Sequence, residues 1–145
     1  MSEVFGITVC SDFGKEMIQL DHVEVVAGKG IVEDRYFKKN NKTSNITLIE
    51  KENIDVFNKN SNPPISYEKF RRNIITQGVR LNSLLGKEIF VGQVKVKVHE
   101  LCEPCLKLQK LLGKNNFVKE MVHKSGIRCE ILSDGKITKG NKITY

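Results

Sequence analysis

The stretch that decides the fold is residues 94–112, which read Val-Lys-Val-Lys-Val-His-Glu-Leu-Cys-Glu-Pro-Cys-Leu-Lys-Leu-Gln-Lys-Leu-Leu. Its first half alternates apolar and polar residues at a period of two, which is typical of a strand with one buried face. Its second half spaces leucines among polar residues as a short amphipathic helix does, and Pro104 suits the first turn of such a helix. The stretch therefore predicts a strand followed by a helix that starts near Cys105, where free amide groups and the helix dipole favour a thiolate.

Most of the remaining chain consists of short strand-like segments. The pattern predicts strands at residues 4–9, 22–26, 45–49, 74–76, 88–91, 94–99, 127–132, 137–138 and 142–144. Short helices are predicted at 50–57, from Ser66, at 81–85, after Pro104 and at 117–124. Residues 92–93 and 133–136 have the composition of hairpin turns. This order predicts a mainly β protein with short helices (α+β), folded as a mixed antiparallel sheet or as a closed or partly open β-barrel.

The composition indicates one globular domain. With 145 residues, 39% hydrophobic and 28% charged, the chain is long enough for one domain with its own core. No apolar run approaches the roughly 20 residues of a membrane span, and the N-terminus lacks a signal-peptide pattern, so we expect a cytoplasmic protein without a membrane partner. The net charge of +7 favours an anionic partner. The lysines are scattered, which argues against nucleic acid; a small RNA-binding barrel would show binding that falls steeply with salt.

The residues alone leave four interpretations of Cys102 and Cys105 open. A zinc site would need four ligands, and Cys10, Cys129 and the histidines do not supply the usual spacing. A redox pair would be expected in a βαβ setting, whereas the neighbouring segments here are predicted hairpins. A single thiolate, Cys105, would suit a soft metal beside a basic anion-binding site. Both sulfurs would also be acceptable as structural thiols.

Six segments in a fixed order resemble the MOSC domain. They are Gly-Ile-Val-Glu-Asp-Arg-Tyr (30–36), Asn-Ile-Thr-Leu-Ile (45–49), Arg-Arg-Asn-Ile (71–74), Leu-Leu-Gly-Lys-Glu-Ile-Phe-Val-Gly (84–92), Cys-Glu-Pro-Cys (102–105) and Gly-Ile-Arg-Cys (126–129), with Gly140 near the end. This domain occurs at the C-terminus of molybdenum cofactor sulfurases, in amidoxime-reducing enzymes and as small stand-alone bacterial proteins. The resemblance covers about residues 25–144, so it implies that residues 1–145 are a single MOSC domain with a barrel of the MOSC, or pyruvate-kinase-barrel-like, type.

The resemblance implies that the chain binds the molybdenum cofactor (molybdopterin), a pterin that carries a phosphate and a dithiolene. In family members with known chemistry a cysteine ligates the molybdenum, and Cys105 matches that position as metal ligand and catalytic residue. Cys102 falls where relatives carry various residues, and it is a secondary candidate for cofactor binding. The candidates for binding the pterin phosphate are Arg35, Tyr36, Arg72 and Asn73.

Two departures from the family pattern bear on this expectation. Glu33 stands where the usual Gly-Asp-Arg element has its glycine, which would place an extra carboxylate near the predicted anion site. The chain also lacks the N-terminal β-barrel domain that accompanies the MOSC domain in amidoxime reducers. Pyridoxal phosphate, which belongs to a separate domain of the sulfurases, is not expected in this chain.

The implied function has two versions and one rival. In the first version the protein is an oxidoreductase that reduces N-hydroxylated substrates, with Cys105 bound to the metal throughout. In the second it handles cofactor sulfur, with a persulfide on Cys105. The rival is a non-catalytic carrier of molybdenum cofactor or of another phosphorylated anion. The expected partners are the small-molecule cofactor and substrate, and an electron-donor or cofactor-biosynthesis protein.

Overall fold

The computed structural model describes residues 1–39 and 42–145, and these residues build two β-sheets flanked by short helices. The strands are β1 Glu3–Val9, β2 Ile18–Leu20, β3 His22–Val26, β4 Gly30–Ile31, β5 Ile46–Glu50, β6 Ile74–Gln77, β7 Glu88–Val91, β8 Val94–Leu101, β9 Ile127–Ile131, β10 Gly135–Thr138 and β11 Ile143–Thr144. The α-helices are α1 Lys51–Lys59, α2 Leu106–Leu112 and α3 Phe117–Met121, and short 3-10 turns lie at Lys42–Ser44, Tyr67–Phe70 and Leu81–Leu84.

In the described part of the chain, the larger sheet has eight strands in the order β11-β7-β8-β9-β5-β6-β1-β2, and the smaller has three in the order β10-β3-β4. Neighbouring strands of the larger sheet are antiparallel, apart from β5 and β6, which are parallel. The larger sheet curls into a half-barrel, so the predicted mainly β fold with short helices and a partly open barrel is confirmed. No helix in residues 1–39 or 42–145 is long and apolar enough to span a membrane.

Strand β8 lies near the middle of the larger sheet and packs its valines into the core, as its alternation predicts. Val94, Val96 and Val98 are fully buried, and burial of a side chain of this size contributes roughly 1.5–3 kcal/mol. A β-bulge interrupts the pairing of β8 with β9 between Val98 and Glu100. Beyond the bulge, the chain runs on to Cys102, whose amide donates a hydrogen bond to the carbonyl of Gly126 (2.8 Å).

A second core joins the helices to the outer side of the larger sheet. The rings of Phe57, Phe70 and Phe117 contact one another with centroids 5.6–6.0 Å apart. Leu108 of α2 belongs to the same cluster, so the helix that follows the Cys-Glu-Pro-Cys segment is anchored there. The predicted helix start is confirmed, because α2 begins at Leu106 with Cys105 as its N-cap residue.

The predicted hairpin at residues 133–136 is wrong. The strand after it, β10, does not fold back on β9 but pairs with β3 of the smaller sheet, with Ile137 opposite Val23. The carboxylate of Asp134 accepts a hydrogen bond from the amide of Ala27 just beyond β3 (2.7 Å). The turn residues therefore carry the chain from one sheet to the other, and Ile137 is fully buried as a result.

Gly126 should tolerate no side chain. Its φ of +97° is in the left-handed region, and a Cβ there would collide with the carbonyl of Leu48. We expect Gly126→Ala to lower the free energy of unfolding by more than about 3 kcal/mol, measured by urea denaturation. Gly113→Ala is the matched control, because Gly113 also has a positive φ (+68°) but no atom within 4 Å of its would-be Cβ. We expect it to lose only about 1 kcal/mol, and equal losses would contradict the steric explanation.

Glu33 occupies a backbone conformation that glycine adopts more easily. Its φ is +75° and its side chain is exposed. We expect Glu33→Gly to raise the free energy of unfolding by about 1 kcal/mol, because it relieves left-handed strain. Glu24→Gly, at an exposed position within β3, should instead cost about 0.5–1 kcal/mol. Urea unfolding of the two variants measures both changes. If the free energy of unfolding changed in the same direction in both variants, backbone strain at Glu33 would be contradicted.

Candidate functional site

A hollow of about 160 Å³ lies between the loop after β4, the segment before β6 and the start of β9. Four of its lining side chains are arginines, and none of the lining residues described is acidic. We call it the arginine hollow, and it is lined by Arg35, Tyr36, Ser44, Thr47, Arg71, Arg72, Asn73, Cys102 and Arg128. Guanidinium groups concentrated in this way bind phosphate and carboxylate groups, because each presents a planar fork of donors.

The structure brings five of the six predicted site residues together in the arginine hollow. These are Arg35, Tyr36, Arg72, Asn73 and Cys102. The sixth, Cys105, is exposed at the N-cap of α2, where its Sγ accepts a hydrogen bond from the amide of Leu108 (3.4 Å). It is not among the described residues that line the hollow. Because it follows Cys102 by three residues, the two Cα atoms are at most about 11 Å apart.

Arg72 holds two chain segments together at the edge of the hollow. Its Nε donates to the carbonyl of Ser125 (2.8 Å), and its Nη2 lies 3.4 Å from the carbonyl of Glu103. Both partners are neutral oxygens, so they leave the positive charge of the guanidinium uncompensated. Arg72 therefore positions the Cys-Glu-Pro-Cys segment and still adds charge to the hollow.

Asn73 is a buried connection between strands. Its Oδ1 accepts hydrogen bonds from the amide and the hydroxyl of Thr47 on β5 (both 3.2 Å). Its Nδ2 donates to the carbonyl of Thr8 on β1 (3.2 Å). Asn73 thus connects β1 and β5 directly before β6 begins. These hydrogen bonds fix the backbone next to Arg72.

Arg35 is held rigidly, with only 8% of its side chain exposed. Its Nη1 contacts the Asp34 carboxylate (3.4 Å) and the Met17 sulfur (3.3 Å), and its guanidinium lies over the Tyr36 ring, 4.6 Å from the centroid. The Asp34 carboxylate is itself buried and accepts from the amide of Cys10 (3.1 Å). Arg35 is therefore paired and partly neutralised, while the exposed Tyr36 ring forms part of the wall.

Cys102 and Arg128 both line the arginine hollow. Cys102 is only 2% exposed, and interaction with its sulfur raises the pKa of the Arg128 guanidinium, ahead of the opposing effect of burial. Arg128 also contacts the exposed carboxylate of Glu100 (3.3 Å). A sulfur next to a guanidinium is the setting in which cysteines act as ligands or nucleophiles.

The other two cysteines are structural thiols. Burial raises the pKa of the Cys129 thiol, with the neighbouring Cys102 sulfur as a second cause, so Cys129 stays protonated. The Sγ of Cys10 contacts the carbonyls of Asp12 (2.8 Å) and Lys15 (3.2 Å). All four cysteines are free.

Two arginines of the hollow were missed by sequence reasoning as site residues. Arg71 precedes Arg72 and has a φ of +61°, a left-handed conformation at the start of the segment that leads into β6. Arg128 occupies the exposed position of β9, between buried Ile127 and Cys129. Both lie in segments that carry the family resemblance, and that resemblance was the available signal.

Neither His99 nor His123 lines the hollow in the described residues. His99 pairs with Glu130 (2.9 Å), and His123 contacts Glu103 through both its ring Nδ1 (2.6 Å) and its backbone amide (2.7 Å). No group of three or more His, Cys, Asp or Glu side chains in residues 1–39 and 42–145 is arranged to hold a metal ion.

Comparisons with known proteins agree with this architecture. Of the solved structures, YuaD from Bacillus subtilis superposes with a TM-score of 0.83 at 18% identity, covering 100% of this chain and 97% of that one. YiiM from Geobacillus stearothermophilus gives 0.79 at 18% identity, covering 99% and 74%. YiiM from Escherichia coli gives 0.72 at 16% identity, covering 99% and 67%. At these identities the similarity shows the fold.

The curated proteins contain no match to this sequence. The family model of the MOSC domain, in contrast, matches residues 34–144, which include every residue of the arginine hollow and Cys105. The match covers most of the chain, and the structure has the fold of its neighbours over its full length. The chain belongs to the MOSC domain family.

Proposed function

We propose that this MOSC protein binds the molybdenum cofactor at the arginine hollow and uses a cysteine of the adjoining Cys-Glu-Pro-Cys segment, either to reduce N-hydroxylated substrates or to handle cofactor sulfur. The observation that carries the proposal is the meeting of four arginines with the sulfur of Cys102 in one hollow. The family membership supports the choice of cofactor.

The residues present fit such a group by their chemistry. Guanidinium groups bind phosphate through paired hydrogen bonds, and thiolates bind soft metals. The hollow supplies both kinds of group, and among the described residues carboxylates contact two of its four arginines, Arg35 through Asp34 and Arg128 through the exposed Glu100. A ligand that combines a phosphate with a sulfur-bound metal matches this donor set.

The residues would divide the work as follows. Arg72 and Arg128 bind the phosphate, while Asn73 keeps Arg72 in position through its hydrogen bonds to Thr8 and Thr47. Arg35 is too tightly packed to move, so it provides fixed charge. When bound, the cofactor supplies oxygen-atom transfer and two-electron chemistry, and the protein contributes binding, orientation and a sulfur.

The two cysteines suit different versions of the function. Cys105, the sulfur that the family pattern indicates, is exposed, and a sulfur carrier needs a thiol that another protein can reach. Cys102 is buried against the hollow, and a sulfur that contacts a bound cofactor needs that location. We retain Cys105 as the proposed metal ligand and treat Cys102 as the second candidate, favoured by its burial in the hollow that Arg128 also lines.

A non-catalytic carrier of molybdenum cofactor, or of another phosphorylated anion, is the rival function. An arginine-lined hollow binds a phosphate whether or not a reaction follows. The two are separated by turnover of cofactor-loaded protein with a reductant and a hydroxylamine or amidoxime substrate. Stable binding without turnover would indicate the carrier. A reductase would need an electron-donor protein as its partner, and a carrier would need a cofactor-biosynthesis protein. For both functions we propose a cytoplasmic location.

Replacing each cysteine separately tests the metal ligand. We expect Cys105→Ser to lose molybdenum and to keep its melting temperature, because the side chain is exposed. The measurement is the molybdenum content of protein purified from a host that makes the cofactor. Cys102→Ser is the comparison: metal loss in this variant alone would move the ligand to Cys102. Full molybdenum content in both variants would contradict ligation by either sulfur.

Replacing arginines tests the anion site. We expect Arg128→Gln to weaken the binding of inorganic phosphate about tenfold, since a charge-assisted hydrogen bond contributes roughly 1.5–3 kcal/mol. Arg72→Ala should weaken it too, and should also lower the melting temperature because two loop contacts are lost. Arg80→Gln is the control, as Arg80 is exposed and outside the hollow. If calorimetry found the same affinity in all three variants, the hollow would not be the phosphate site.

A further inference from the structure

A second cavity, of about 390 Å³, adjoins the arginine hollow, and we call it the side cavity. Three parts of the chain surround it: the loop before β2, the segment from Pro63 into the 3-10 turn Tyr67–Phe70, and the C-terminal end of α2. Its volume lies in the range of small-molecule sites, whereas the arginine hollow is smaller than most such sites.

Arg71 belongs to both cavities. It lines the arginine hollow and the side cavity, and its Nη1 donates to the carbonyl of Lys15 (3.0 Å). That carbonyl is the one protein acceptor of the Arg71 guanidinium in residues 1–39 and 42–145, although a guanidinium has five N–H donors. A second connection is the contact of Arg35, from the hollow, with Met17, from the side cavity (3.3 Å). The two cavities therefore meet at Arg71.

The wall of the side cavity away from Arg71 is apolar. Met17 and Ile65 are buried and form part of the lining, together with two prolines. Leu111 also lines it although 72% of this residue is exposed, and Leu112 lies next to it. An apolar ligand body placed here would remove this surface from water, at roughly 25 cal/mol for each Å² buried.

The charged residues around the side cavity are mostly positive. Four cations and two acids line it: Lys15, Lys69, Arg71, Lys114, Glu16 and Glu68. Lys114 is fixed in the rim by a hydrogen bond from its Nζ to the carbonyl of Pro63 (3.0 Å). This excess of positive charge favours a ligand with a negative group, and the free donors of Arg71 show where that group would be bound.

We infer that the side cavity binds the apolar body of an organic-acid substrate, whose anionic head is held by Arg71 and so faces the arginine hollow. The inference rests on the proposed function, because it makes Arg71 the residue that places a substrate beside the bound cofactor. It names the substrate class as a small apolar molecule with a single negative group. Arg71 acts as a specificity-determining residue in this arrangement.

The test is a titration of 4-phenylbutanoate into protein purified from a host without the cofactor, followed by calorimetry. We expect the acid to bind, and its neutral analogue 4-phenylbutanamide to bind at least fivefold more weakly, because the amide lacks the charge that Arg71 recognises. Arg71→Gln should weaken the binding of the acid by a similar factor while leaving the amide unchanged. Equal affinity for acid and amide in the unmodified protein would overturn the assignment of the head group.

Two leucines of the same helix provide matched variants that do not depend on Arg71. Leu111 lines the side cavity, whereas Leu106 is similarly exposed, at 65%, but lies outside it. Leu111→Asp should weaken binding of 4-phenylbutanoate at least fivefold through lost apolar contact and charge repulsion, and Leu106→Asp should change it less than twofold. Equal effects of the two substitutions, or no binding to the unmodified protein, would overturn the inference.

The hollow itself supplies the last control. Arg128→Gln should leave the affinity for 4-phenylbutanoate within twofold, because Arg128 does not line the side cavity. A loss of binding in this variant would place the acid in the hollow and contradict the inference. Molybdenum content and phosphate affinity of the unmodified protein are measured separately, so failure of the proposed function would be recognised independently of this result.

Discussion

The close approach of Gly126 to Leu48 is the constraint on which the site depends. A side chain at Gly126 would collide with the Leu48 carbonyl, so only glycine lets the start of β9 lie directly beside β5. The carbonyl of Gly126 also accepts a hydrogen bond from the amide of Cys102, just after β8. One residue without a side chain thereby brings three strands together and sets the depth at which the Cys102 sulfur lies.

The arginine hollow concentrates positive charge that the protein itself does not neutralise. Arg71 and Arg72 donate to carbonyl oxygens, which stabilise the position of each guanidinium without cancelling its charge. Of the four lining arginines, Arg35 and Arg128 contact carboxylates within the described residues, and the carboxylate at Arg128 is exposed and therefore screened by solvent. Repulsion between these guanidinium groups destabilises the ligand-free protein. An anion that binds in the hollow reduces this repulsion, so anionic ligands are favoured.

The two cysteines of the Cys-Glu-Pro-Cys segment illustrate how a few residues can separate two chemical environments. The β-bulge after Val98 and the hydrogen bond from the Cys102 amide to the Gly126 carbonyl direct Cys102 inward, into the hollow that Arg128 also lines. Pro104 then turns the chain out, and Cys105 caps a helix at the surface. A buried sulfur and an exposed sulfur therefore lie within three residues of each other.

Much of the fold and part of the site could be predicted from residue patterns. The alternation of Val94, Val96 and Val98 identified a half-buried strand, and the leucine spacing with Pro104 placed Cys105 at a helix start. These features are local, because strand and helix periods are properties of neighbouring residues. The grouping of Arg35, Tyr36, Arg72, Asn73 and Cys102 came from the family resemblance, and it coincides with one hollow.

By itself, then, the sequence determined the type of most elements, the mainly β class and the helix that begins after Cys105. Only the tertiary structure decided that β10 pairs with β3, that Arg71 and Arg128 join the hollow, and that Cys102 is the sulfur inside it. The physical reason is distance along the chain. The bond from Arg72 to Ser125 joins residues 53 positions apart, and no periodicity in either segment encodes such a contact.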